Sequence, residues 1–138
     1  MGKIENLGHI GLYVSNVERS KAFYCGILGF TCFYEYDSPS DDGAGARVCF
    51  VRSGNLVLEL VQFNNPAVSA GRGDGLIDHI AISVKDIESV QVELEAKGIV
   101  FEKKDIVFMP IFEHGSKWLL FRGPDGEHLE IAEVMEAE

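Results

Sequence analysis

Apolar and polar residues alternate with period two over residues 8–14, and the same alternation returns over residues 79–84. Such a pattern predicts half-buried strands whose successive side chains face opposite ways. Ile10, Leu12 and Val14 then share one face and His9, Gly11 and Tyr13 the other; Ile80, Ile82 and Val84 oppose His79, Ala81 and Ser83 in the second copy. Helical spacing follows each run. Ser15 with Glu18 forms a capping box ahead of Val17, Phe23, Tyr24 and Ile27. Asp86 is the candidate N-cap ahead of Ile87, Val90 and Leu94, and Gly98 supplies the stop. Strand-like runs follow at about 30–36, 47–52 and 55–62, and at about 100–104, 117–122 and 127–134, separated by the turn signals "DSPSDDGAGA", "RSGN" and "RGPDGE". Each half therefore reads βαβββ, an α+β chain with modules over 5–63 and 77–134 and a linker over 64–76, "NNPAVSAGRGDGL".

The two halves also match residue by residue. "GHIGLYVSNVE" at 8–18 answers "DHIAISVKDIE" at 78–88. Towards the ends of the modules Phe50 aligns with Phe121, Leu58 with Leu129, Glu59 with Glu130 and Leu60 with Ile131. The offset grows by one residue on the way. An internal repeat of this kind makes each half one structural unit.

Composition narrows the function classes. The chain has 138 residues, of which 46% are hydrophobic and 25% charged, as in an ordinary globular domain. No apolar run reaches the roughly 20 residues of a membrane span, and nothing at the start has the shape of a signal peptide. A cytoplasmic location is the expectation. The net charge of −10, without any Lys/Arg cluster, argues against nucleic acid and anionic membranes as partners. Cys25, Cys32 and Cys49 are an odd count without CxxC spacing and read as reduced thiols.

The face turned away from the helices carries the candidate chemistry. Each half puts one histidine and one glutamate there: His9 with Glu59, and His79 with Glu130. A carboxylate flanked by leucines in a strand needs a cation, a donor or a proton. Two imidazoles and two carboxylates suit one divalent ion, with zinc, nickel, cobalt, manganese and iron as the candidates.

At these residues the chain resembles the vicinal oxygen chelate superfamily, which includes glyoxalase I, extradiol dioxygenases, epimerases and fosfomycin-resistance proteins. The resemblance rests on "HIGLYVSNVERSKAFYCGILGF", "LELV" around Glu59, "DHIAISVKDIE" and "FRGPDGEHLEIAE", and spans about residues 5–134. It implies two βαβββ modules forming a half-open barrel around a metal site, in a homodimer that sometimes exchanges modules. His9, Glu59, His79 and Glu130 match the ligand positions, and an acidic ligand at 59 resembles the lyase and isomerase branch. The implied reaction is that of lactoylglutathione lyase: proton transfer through a metal-bound enediolate, with Glu130 as the shuttle and Glu59 serving the opposite face. Epimerase, ring-cleaving dioxygenase and a non-catalytic drug-binding resistance protein are the alternatives within the same superfamily. Two positions depart from the glyoxalase I pattern. Tyr13 stands where an arginine would contact glutathione, and Phe63 where an asparagine would; both changes weaken the glutathione reading, and Tyr13 suits a less charged substrate.

Further candidates surround these ligands. His128 lies two residues before Glu130, hence on its face, and Arg122 alternates with Trp118 and Leu120. The apolar segment 106–118, interrupted by Pro110 and Gly115, offers Phe108, Met109, Ile111 and Phe112 as a pocket wall or lid. With Tyr13 and Phe63, the residues Met109, Phe112, Trp118, Arg122 and His128 complete the candidate substrate pocket.

Overall fold

A computed structural model describes residue 3, residues 6–39 and residues 45–137 of the chain. Residues 40–44 of the "DSPSDDGAGA" turn, and residue 5 at the start of the first module, lie outside them. The chain divides into two compact units, Met1–Arg72 and Gly73–Glu138.

The first unit begins with strand β1 (Ile10–Tyr13), then helix α1 (Val17–Lys21), which runs on into a π-helical segment over Ala22–Ile27. Strands β2 (Thr31–Ser38), β3 (Ala46–Ser53) and β4 (Leu56–Phe63) complete a four-stranded sheet in the order β1-β4-β3-β2. β1 pairs with β4 in parallel, and the other two pairings are antiparallel. The second unit repeats this with β5 (Ile80–Ser83), α2 (Ile87–Ala96), β6 (Val107–Met109), β7 (Ser116–Arg122) and β8 (His128–Val134) in the order β5-β8-β7-β6. The fold is α+β, built from two βαβββ modules.

Alternation along the strands separates the two faces of each sheet. Val51, Leu58 and Leu60 of the first unit and Leu119, Phe121, Leu129 and Ile131 of the second are almost wholly buried and form the helix-side cores. Burying each such side chain contributes roughly 1.5–3 kcal/mol. Leu58 and Leu60 flank Glu59, so the carboxylate must emerge on the opposite face.

Each module caps its helix from its own last strand. Gln62 Oε1 accepts from Val17 N at 2.7 Å. At the matching place Glu133 accepts from both Asp86 N and Ile87 N, each at 3.0 Å. The local caps differ from the sequence expectation. Asn16, not Ser15, is the N-cap of α1, its Oδ1 accepting from Arg19 N at 3.0 Å. Ser15 instead accepts from the Arg19 guanidinium. Asp86 does occupy the N-cap position of α2, but with a left-handed φ of 54° and no side-chain bond to the helix backbone. Its carboxylate accepts from Ser89 Oγ, and Glu133 does the capping.

Two further expectations are corrected. Residues 100–104 are not a strand: Ile99 and Phe101 are buried in irregular backbone, tied to β7 through Glu102 N→Leu120 O at 2.8 Å. The short edge strand is Val107–Met109, inside the segment read as a loop. Nor is Phe121 the counterpart of Phe50. Phe50 lies opposite Glu59, whereas Leu120 lies opposite Glu130. Phe121 faces the helix side, where its ring meets that of Phe101. The extra residue of the second module therefore sits in the β7–β8 turn, which has five residues between the strands where β3–β4 has two.

Candidate metal and substrate site

Parallel pairing of the first and last strand brings histidine and glutamate together in each unit. Gly11 lies opposite Glu59, and His9 is two residues earlier on the same face. Gly11 has no side chain to obstruct the glutamate: a Cβ there would stand 3.4 Å from Glu59 Oε1. The carboxylate reaches back to His9, with Nε2 to Oε1 at 3.7 Å. In the second unit Ala81 lies opposite Glu130, and His79 Nε2 to Glu130 Oε1 is again 3.7 Å. That spacing exceeds a hydrogen bond, so each pair presents a nitrogen and an oxygen side by side without satisfying each other. The carboxylates are 23% and 17% exposed and the imidazoles 46% and 39%, a matched gradient from the sheet outwards.

The surroundings of the two pairs differ. His79 Nδ1 lies 2.9 Å from Asp78 Oδ2. The hydrogen bond with His79 holds the Asp78 carboxyl below its usual range. A ring fixed in this way at Nδ1 presents Nε2 outward as a lone-pair donor, the arrangement metal-binding histidines use. The first module has Gly8 at the matching position, and His9 instead sets its ring against the edge of Phe50, centroids 5.4 Å apart. His128 brings another imidazole beside His79, the ring centroids 5.9 Å apart. Its Nε2 is 3.0 Å from Glu102 Oε1 and its Nδ1 is 3.5 Å from Asp78 Oδ2, yet both buried nitrogens lack a hydrogen bond of good geometry. Asp78, His79 and His128 can each offer one ligand atom within 4.8 Å of the others.

The donor set fits a divalent ion. Each unit supplies an imidazole nitrogen beside a carboxylate oxygen, the borderline ligands that zinc, nickel, cobalt, manganese and iron accept.

The other candidates are placed within their own units. In the first unit the Tyr13 and Phe63 rings meet edge to face at 4.8 Å, and the Arg72 guanidinium lies over Tyr13 at 4.5 Å. Phe50, Tyr34 and Tyr36 continue an aromatic surface from His9 to the sheet edge. In the second unit Trp118 lies opposite Ala132, and Arg122 lies opposite His128. Arg122 is engaged by both Asp74 oxygens, at 2.7 and 3.0 Å. Met109 ends β6, and Phe112 is 70% exposed with a φ of 60°. Sequence reasoning missed Asp78, Glu102 and Arg72. Only Asp78 carried a signal, as the acidic neighbour of a repeated histidine.

Fold and sequence agree on the class. The chain belongs to the Glyoxalase/Bleomycin resistance protein/Dioxygenase superfamily, whose profile matches residues 6–131. Among its relatives, the uncharacterized protein YaeR of Escherichia coli is 32% identical over 94% of this chain and 97% of its own length. A protein of Synechocystis sp. named probable lactoylglutathione lyase is 31% identical over 91% of this chain and 93% of its own. The crystal structure of a superfamily member from Sphaerobacter thermophilus shares the fold, with a TM-score of 0.72 at 22% identity over 95% of this chain and 98% of that one. Among the described residues no helix is long and apolar enough to cross a membrane.

Proposed function

We propose that this chain is a metal-dependent lyase or isomerase of the glyoxalase I type, acting on a small α-hydroxycarbonyl compound. The observation that carries the reading is the repeated histidine–glutamate pair, with the same atoms at the same 3.7 Å in both units. His9, Glu59, His79 and Glu130 are the ligands, drawn from one chain or from two copies in a homodimer. A divalent ion held by them would supply Lewis acidity, lowering the cost of negative charge on substrate oxygen.

The chain's own residues handle the proton. A glutamate whose carboxylate is half-buried beside an imidazole can leave it, accept the proton of a carbon next to a carbonyl, and return it to the neighbouring carbon. Glu130 is the proposed shuttle, with Glu59 serving the other face of the substrate. Asp78 keeps the His79 ring in one orientation while this happens. Tyr13, Phe63, Phe50 and Tyr34 exclude water and suit an apolar substrate body, while Arg72 over the Tyr13 ring offers one cationic contact. The resemblance of the Synechocystis relative to this chain supports the reaction class.

The test is metal content by elemental mass spectrometry after chelator stripping and reloading, with wild type beside Glu130→Gln. About one ion per set of four ligands, weakened in the variant, supports the reading. Turnover of the methylglyoxal–glutathione hemithioacetal then identifies a lyase, whereas oxygen uptake with an iron- or manganese-loaded sample would assign a dioxygenase. Wild type that retains none of the five metals would overturn the catalytic reading and leave a small-molecule binder.

A further inference from the structure

Cys32 and Cys49 lie on neighbouring antiparallel strands, on the helix face of the first unit's sheet. β2 is bulged between Cys32 and Tyr34: Cys32 pairs with Val51, and Glu35 pairs with Cys49. The bulge lets Cys32 and Glu35, three residues apart, share one face with Cys49. The two sulfurs are 3.0 Å apart. Cys49 is wholly buried, while Cys32 is half-buried and reachable from solvent.

We propose that Cys32 and Cys49 are a thiol-modification site that closes to a reversible disulfide, with a small-molecule disulfide of the glutathione type as oxidant. The Cys32 thiolate attacks one sulfur of the oxidant, whose S–S bond breaks, releasing one small thiol and leaving a mixed disulfide on Cys32. Cys49 then attacks the Cys32 sulfur and expels the second small thiol. Two protein thiols are oxidised and one small disulfide is reduced. The Cys49 proton has a local acceptor in the Glu35 carboxylate, which lies with both sulfurs inside 4.8 Å.

A metal ion is the weaker occupant of the same residues. Lys21 Nζ already holds Glu35 at 2.7 Å, with Arg47 at 3.7 Å. Cys25, the third cysteine, is half-buried. It stays outside the bridge.

The bridge would fasten edge strand β2, which carries Tyr34 and Tyr36, to β3, which carries Phe50. Reduced native protein would be equilibrated across ratios of oxidised to reduced glutathione, acid-quenched, alkylated with N-ethylmaleimide and weighed. The expected product carries one alkylated thiol in place of three, and its tryptic map joins the Cys32 and Cys49 peptides. Cys25→Ser should oxidise like wild type, and Cys49→Ser should stop at a glutathione adduct on Cys32. A wild type that stops at that adduct, joins Cys25 to either partner, or keeps three alkylated thiols in excess oxidant would overturn the proposal. The wild-type and Cys25→Ser maps decide it even where Cys49→Ser fails to fold.

Discussion

Replacing Glu133 by alanine should destabilise the protein more than any other exposed-face change in the second unit. Its two oxygens accept from Asp86 N and Ile87 N, both at 3.0 Å, at the N-terminus of α2. These are two of the four N–H groups a helix cannot satisfy internally. A neutral cap contributes about 1 kcal/mol, and a hydrogen bond to a charged acceptor about 1.5 kcal/mol or more. A negative charge at a helix N-terminus adds ~0.5 kcal/mol. Discounted for partial exposure, the loss should be about 2 kcal/mol, or a fall of roughly 7 °C in Tm for a domain of this size. The first unit supplies an internal control. Gln62→Ala removes one neutral acceptor from Val17 N and should cost about 1 kcal/mol. Glu133→Gln, which keeps one acceptor oxygen and no charge, should fall between. Thermal melts followed by circular dichroism give the ranking, and amide exchange at Asp86 and Ile87 should quicken in Glu133→Ala. A loss in Glu133→Ala no larger than that in Gln62→Ala would refute the assignment of the cap to a charged, two-handed acceptor.

Other expectations follow from the same contacts. Lys21 beside Glu35 holds that carboxyl below the usual glutamate range, and Lys117 does the same for Glu88. A carboxyl lowered in the folded state contributes stability above its unfolded pKa and loses it as pH falls through the folded one. Tm should therefore hold level down to about pH 5 and decline below it, and Lys21→Met should shrink that decline; an unchanged acid limb in the variant would remove Glu35 from the explanation. Phe112→Gly should leave stability within about 0.5 kcal/mol of wild type, because the ring is 70% exposed and φ is 60°, a region costly for a bulky residue. A loss of the several kcal/mol typical of a buried phenylalanine would show that the ring is covered in solution.

Much of this architecture was legible because duplication doubled every signal. Neither His9 nor Glu59 alone is informative, but their reappearance as His79 and Glu130 located both strands and the face they share. The parts that were missed depend on contacts with no periodic signature. Ile99 and Phe101 alternate like a strand, yet they are held by burial in irregular backbone, while the true edge strand has three residues, too short for period two to register. Ser15 with Glu18 has the spacing of a capping box, yet the Arg19 guanidinium engages Ser15 and the neighbouring Asn16 caps the helix. The Phe50–Phe121 alignment matched two identical letters across a turn of unequal length, and only strand register shows that they face opposite sides. Asp78 and Glu102 reach His79 and His128 from neighbouring backbone that repeats nothing in the first half.

The unequal β3–β4 and β7–β8 turns also bear on how such a chain can change over time. In both halves the strand after the turn carries the glutamate and, three positions on, the residue that caps the helix: Glu59 with Gln62, and Glu130 with Glu133. Added length in the second half is absorbed before that strand begins, in a turn closed on itself by Gly123 N→Glu127 O at 2.9 Å and Gly126 N→Gly123 O at 3.0 Å. The turn is thus a tolerant joint. Insertions there alter the rim of a module while the spacing that couples the carboxylate to the helix passes unchanged from one copy to the next.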